Sequence, residues 1–298
     1  MLKGLFGKTQ NEKKKNLIRI IYLTVAVILM ITVALAITLA VGSKKGDETP
    51  NENEASGEPS TTTVSYSLSD TKKGTLLIVN KSSDAFDFNV NPETDKSLVS
   101  MSASQYYSLK NENMKANKEA LAALNKMLAD FYAQATDKET AKKLTIWSAY
   151  RSFEDQKGYS TPAGHSDFHT GMLFELTMNG KSDSINGNSV FDWIYENAHN
   201  YGFIERYPES KSSTTGVSGF DNAFRYVGTI HAKYIKDNGL CLEEYVSLIQ
   251  NSTEPIVSNG YKITYAKINA EGNTEVTLAS KPYLVSGDNK GGVIIVLK

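Results

Sequence analysis

Residues 164–176 read GHSDFHTGMLFEL, a stretch that places two imidazoles, a Ser-Asp pair and Glu175 within a few residues of one another. These are side chains that hold metal ions or move protons. His165 and His169 are four apart, but Gly164 and Gly171 around them argue against a helix, so their spacing alone does not put both on one face. A second candidate is SAYRSFEDQ, residues 148–156. An arginine fixed beside serine and glutamine suits a carboxylate-bearing ligand, because guanidinium grips carboxylate in a two-pronged fork. An arginine after a strand is also the usual former of a surface ion pair. A third stretch, NAHNYGFIERYPESK followed by FDNAFRYVGTIHA, carries His199 and His231. His199 sits among apolar neighbours, which favours a structural role.

The elements that must position these groups are legible in the hydrophobic pattern. Residues 143–151, KLTIWSAYR, read as a strand ending in a polar turn, and 172–176 continue the alternation. That alternation puts Met172, Phe174 and Leu176 on one face and Leu173 and Glu175 on the other. Residues 117–134 predict a helix whose Ala120, Leu124, Met127, Leu128 and Phe131 form a core-facing stripe. TLLIVN at 75–80 reads as a short buried strand. A capping-box-like start at 189–192 opens a helix predicted to stop at Gly202. A strand over 223–228 precedes two short helices, 231–238 and 242–250, with Gly239 between them. The tail, with YKITYAKI, TEVTLA, YLVSG and GGVIIVLK, predicts antiparallel strands in a small appended sheet.

The chain has 298 residues and a formal charge of -1, which points away from nucleic acid. Its one cysteine, Cys241, excludes an internal disulfide and a thiolate zinc site and reads as a small core residue. Residues 20–41 carry no charge and would span about 33 Å as a helix, enough for a bilayer core of about 30 Å. Lysines at 3, 8, 13, 14 and 15 and Arg19 precede the run, and only Lys44 and Lys45 follow it closely. The positive-inside bias therefore predicts a single-pass anchor with a cytoplasmic N-terminus and an exported domain. Residues 42–73, polar and low in apolar periodicity until Val64, predict a flexible stalk.

Taken in order, SAYRSFEDQ, GHSDFHTGMLFEL, WIYENAHNYGFIERYPESK and FRYVG resemble the VanY-like D-alanyl-D-alanine carboxypeptidases, zinc peptidases that trim the terminal D-alanine of peptidoglycan stem peptides. The resemblance covers about residues 74–250 and implies an α+β fold, a small antiparallel sheet with helices on one side. The full reading is a cytoplasmic segment (1–19), an anchor (20–41), a stalk (42–73), the carboxypeptidase-like domain (74–252) and a C-terminal β segment (253–298).

The family's metal motif reads S-x-H-x-x-G-x-x-x-D, followed later by E-x-x-H before the FRYVG-like strand. Laid on this chain, the histidines fall on Phe168 and Ala223, the aspartate on Glu175 and the glutamate base on Phe220. Only Glu175 keeps a donor, as the remnant of a metal ligand. Ser148, Arg151, Gln156 and Ser166 match the residues that hold the substrate. The resemblance thus implies a catalytically impaired, wall-facing homologue that needs no cofactor and binds a stem peptide or a cell-wall protein. The alternative is an active zinc carboxypeptidase whose centre is rebuilt from His165, His169 and Glu175. A purely structural wall protein is a third reading.

Overall fold

The computed structural model of this chain describes residues 61–91 and 97–298. The predicted cytoplasmic segment, the predicted anchor and the first part of the predicted stalk lie outside the described residues. Among the described residues no helix is long and apolar enough to cross a membrane.

In chain order the first strands are β1 (Thr62–Tyr66), β2 (Leu98–Ser100), β3 (Ser108–Leu109), β4 (Lys115–Asn117), β5 (Leu144–Ser148), β6 (Leu173–Met178) and β7 (Asp183–Ser184). They are followed by β8 (Phe203–Glu205), β9 (Ala223–Tyr226), β10 (Ile256–Ser258), β11 (Tyr261–Lys267), β12 (Thr274–Leu278), β13 (Leu284–Gly287) and β14 (Gly292–Leu297). The longer helices are α1 (Lys118–Gln134), α2 (Asp192–Asn197), α3 (Thr229–Asp237) and α4 (Leu242–Asn251). The mixed α+β class is therefore as the resemblance implies.

The central sheet runs β3-β5-β6-β9-β8, with β7 beside β6. Its pairings are antiparallel except β3 with β5. One face packs on α1 and α2. Ala120, Leu124, Met127, Leu128 and Phe131 of α1 are wholly buried there against Phe174, Leu176 and Phe224. Burying a side chain of that size stabilises by roughly 1.5–3 kcal/mol, so this contact sets the angle at which the sheet meets the helices. Asn117 caps α1, its Oδ1 accepting the N–H groups of Glu119 (3.0 Å) and Ala120 (3.1 Å).

Four expectations need correction. Residues 75–80 are buried as predicted, but they form no strand, because no neighbouring strand lies alongside. Their backbone is instead held by the end of β13 and the turn after it: Leu76 N–H donates to Ser286 Oγ, and Ile78 N–H donates to the Asp288 carbonyl. The helix starting near residue 190 has Phe191 at its N-cap with no side-chain cap, so the predicted capping box is not formed. It tightens into a 3₁₀ turn, Ala198–Tyr201, before ending at Gly202.

The stalk, predicted over 42–73, already contains folded structure from Thr62 onward: β1 pairs antiparallel with β12. Val64 and Tyr66 alternate with polar residues, and their apolar face covers Val293, Ile295 and Leu297 of β14. The tail, finally, is not an appendage. Its sheet, β10-β11-β14-β13, turns Ile294 and Val296 onto a core shared with Leu76, Ile78, Val227 and the apolar faces of α3 and α4. Being covered on both faces, β14 reads GVIIVL without alternation.

Candidate functional site

Glu175 lies in the middle of the central sheet, on the face away from α1. It pairs directly with Ala223 of β9 on one side and Ser148 of β5 on the other. The second pairing depends on a β-bulge between Ile146 and Ser148. Ile146 opposes Leu176 on the core face, and the extra residue, Trp147, lets Ser148 rather than itself stand beside Glu175. A bulge re-aims one side chain in this way wherever it interrupts a ladder.

Ser148 then anchors Arg151. The arginine Nε and Nη2 donate to Ser148 Oγ at 3.0 and 2.7 Å, and Nη1 donates to Gln156 Oε1 at 3.4 Å. Gln156 is buried and fixed in turn by its Nε2, which donates to the Thr161 carbonyl at 2.9 Å. The turn Phe153–Gln156 that carries it is capped by Ser152, whose Oγ accepts the Asp155 N–H. The guanidinium is sandwiched between two rings, its carbon 3.8 Å from the Tyr159 centroid and 3.9 Å from that of Phe168.

Three of the five guanidinium N–H groups are thus used. Among the described residues no carboxylate forms an ion pair with Arg151; Glu175, Tyr159, Tyr207 and Asp155 act on it only through their fields. Burial pulls its pKa down. Burial likewise raises the pKa of Glu175, opposed by Arg151 and Lys110. A half-buried cation with donors to spare and no contacting anion is built to receive one.

The site loop rests on a buried charge network. Asp167 accepts from Arg206 Nε at 2.6 Å and from Arg225 Nε at 3.0 Å, and all three side chains are fully buried. Arg206 turns its other end to Glu243 of α4, a bidentate pair at 2.9 and 2.7 Å. Burial alone would lower the pKa of Arg206, but Glu243, Tyr207 and Asp167 outweigh it and hold it well above the usual value. The arginines of the ERYP and FRYVG motifs therefore position the loop and do not touch the Arg151 pocket.

The predicted site residues divide clearly. Ser148, Arg151 and Gln156 meet as expected, with Glu175 beside Ser148. Ser166 caps the 3₁₀ turn Asp167–Thr170 through its backbone, and its buried hydroxyl does not join the Arg151 cluster. His169 is a scaffold residue: Nε2 accepts the Gly164 N–H at 3.0 Å, and Nδ1 meets the Arg151 carbonyl at 2.7 Å. With both ring nitrogens engaged and the ring fully buried, it has no lone pair for a metal. His165 turns to the Asn80 carbonyl (3.0 Å), and His231, buried in α3, to the Tyr245 hydroxyl (2.7 Å). His165, His169 and Glu175 are not brought together, and no cluster of three His, Cys, Asp or Glu side chains suited to a metal occurs among the described residues.

The positions that the resemblance assigns to zinc ligands and base, Phe168, Ala223 and Phe220, lie in one apolar cluster. Phe168, Leu173, Tyr207 and Ala223 are buried together, with Val217 and Phe220 packed on them. Phe220 stacks on Tyr207, centroids 5.6 Å apart and rings 20° from parallel. Catalytic zinc needs three protein donors and an open position; here Glu175 stands alone. The residues present do not fit that ion. Tyr159 went unread as a site residue because nothing in a linear pattern shows that a loop tyrosine will lie on an arginine.

The fold is an α+β domain whose central sheet carries a half-buried, ring-sandwiched arginine beside Glu175. Residues 113–229 match the family model "VanY: D-alanyl-D-alanine carboxypeptidase". A D-alanyl-D-alanine carboxypeptidase of Enterococcus faecium is 29% identical over 84% of this chain and 84% of its own length. Another, from Enterococcus faecalis, is 38% identical over 34% of this chain and 36% of its own. The vancomycin-resistance D,D-dipeptidase VanXYg, solved with a D-Ala-D-Ala phosphinate analog, shares the fold with TM-score 0.64 at 22% identity, over 80% of this chain and 98% of that one.

Proposed function

We propose that this chain is a membrane-anchored, wall-facing member of its family that binds the carboxylate end of peptidoglycan stem peptides without cleaving them. The observation that carries the reading is a contrast within one site: the positions of both histidine ligands and of the base are filled by packed apolar side chains, whereas Arg151 keeps its anchors, its ring sandwich and a free charge. The named activity of the enterococcal relatives supports D-alanyl-D-alanine termini as the ligand class. Arg151 can hold a carboxylate, but with no bound cation there is no activated water and no stabilised oxyanion, the two effects that make hydrolysis fast. The charge-free run at 20–41 and the preceding lysines support anchoring at the cell membrane with the domain outside.

The test is metal analysis of the purified full chain together with titration by a D-Ala-D-Ala-terminated peptide. Expected are no stoichiometric zinc, no released D-alanine, and saturable binding that Arg151→Ala weakens about tenfold or more. Stoichiometric zinc with release of D-alanine would overturn the proposal.

A further inference from the structure

A cavity of about 230 Å³ lies on the other face of the central sheet. Its walls include Phe203 and Glu205 of β8, Phe224 of β9, Tyr195 and His199 around the end of α2, and Lys236 of α3. Glu205 pairs with Phe224 across the ladder, while Glu175 pairs with Ala223, so the two sites face opposite ways.

Two polar groups in this cavity, on Tyr195 and Glu205, have no hydrogen-bond partner among the described residues. The Tyr195 hydroxyl is buried with no hydrogen-bond partner among the described residues. His199, on the same wall, interacts with the Glu196 backbone. No described residue donates to the Glu205 carboxylate or pairs with it; burial first, and then Asp221, raise its pKa against the field of Lys236. The lysines of the wall are engaged elsewhere: Lys236 Nζ donates to the Tyr195 carbonyl at 3.3 Å, and Lys211 pairs with Glu244 at 2.8 Å. Buried polar groups are almost always satisfied, so the unpaired Tyr195 hydroxyl, with the half-buried Glu205 carboxylate in the same cavity, calls for an occupant.

The chemistry of that occupant is constrained. Glu205, Asp221 and Asp192 all act on Tyr195, which makes the cavity hostile to anions. A divalent metal would need more acidic or imidazole donors than the described residues bring together. A purely apolar guest would leave the carboxylate and the hydroxyl unpaired. An ammonium group offers three N–H donors, and the rings of Tyr195 and Phe224, centroids 5.1 Å apart, offer π faces and apolar cover. We propose that this cavity binds a primary ammonium group carried on a short carbon chain, with Glu205 and Tyr195 as its partners.

The experiment is calorimetric titration of the purified full chain with n-butylamine and, separately, with butyrate. Expected is saturable binding of the amine alone, weakened about tenfold or more by Glu205→Gln and several-fold by Tyr195→Phe, with the melting temperature of each variant recorded. Should Glu205→Gln fail to fold, Tyr195→Phe, which keeps the ring, decides. The proposal is overturned if the amine does not saturate, if butyrate binds as well, if the decisive variant binds like the parent, or if a crystal soaked in the amine shows water only.

Discussion

Arg151 stays half-buried because two rings shield its faces and two side chains fix its edge, an arrangement that leaves two of its N–H donors without a partner among the described residues. Phe168 contributes a ring that packs on the guanidinium at 3.9 Å, so its role beside Arg151 is shielding. The buried charges work differently. Asp167 balances Arg206 and Arg225, and breaking a buried pair typically costs about 3–5 kcal/mol. Asp167→Asn is therefore expected to lower the unfolding free energy measured in urea by that order, whereas Glu139→Ala, at an exposed pair with Lys142, leaves it unchanged. His231 gives a pH signature. Burial holds its pKa at about 4, against about 6.5 when unfolded. Between those values the unfolded chain binds more protons, so stability is intact above pH 6.5 and falls as pH drops towards 4, by roughly 3 kcal/mol in all. His231→Gln is expected to flatten that window in thermal melts run across pH.

At the scale of elements, the candidate site is made by interruptions of regular structure. The bulge at Trp147 brings Ser148 to Glu175, and a 3₁₀ turn ending at Gly171 swings Phe168 and His169 into place. Gly171 has φ +66°, and a Cβ there would meet Leu98 Cδ2 at 2.8 Å and the Asn117 nitrogen at 3.1 Å. Its carbonyl also accepts the Asn117 N–H at 2.8 Å, tying the site loop to the cap of α1. Gly171→Ala is expected to cost about 1–3 kcal/mol in denaturant unfolding, from backbone strain and the crowded contact together. Peptide binding should weaken with it, because Phe168 is carried by the same turn.

At the scale of the whole molecule, the tail and the carboxypeptidase-like part fold as one. Ile263, Ile294 and Val296 complete a core whose other members are Leu76, Ile78, Val227 and the inward faces of α3 and α4. A chain ending at residue 252 would leave that apolar surface in water. It is expected to show no cooperative thermal transition by circular dichroism, whereas the full chain does.

The amino-acid sequence by itself determined the helices, the face on which Glu175 lies, the order of motifs that marks the family, and the absence of donors at Phe168, Ala223 and Phe220. Each of these follows from local periodicity or residue type, which neighbours distant in the chain do not alter. Only the tertiary structure decided that His169 is a scaffold residue, that Asp167 is held by two arginines, that Tyr159 lies over Arg151, and that 75–80 is buried without being a strand. These depend on which side chains, tens of residues apart, are brought within hydrogen-bonding distance, and a hydrophobic pattern carries no record of that distance. The same reason explains the cavity behind the sheet: Tyr195, His199 and Glu205 acquire a common meaning only once β8 and α2 are packed together.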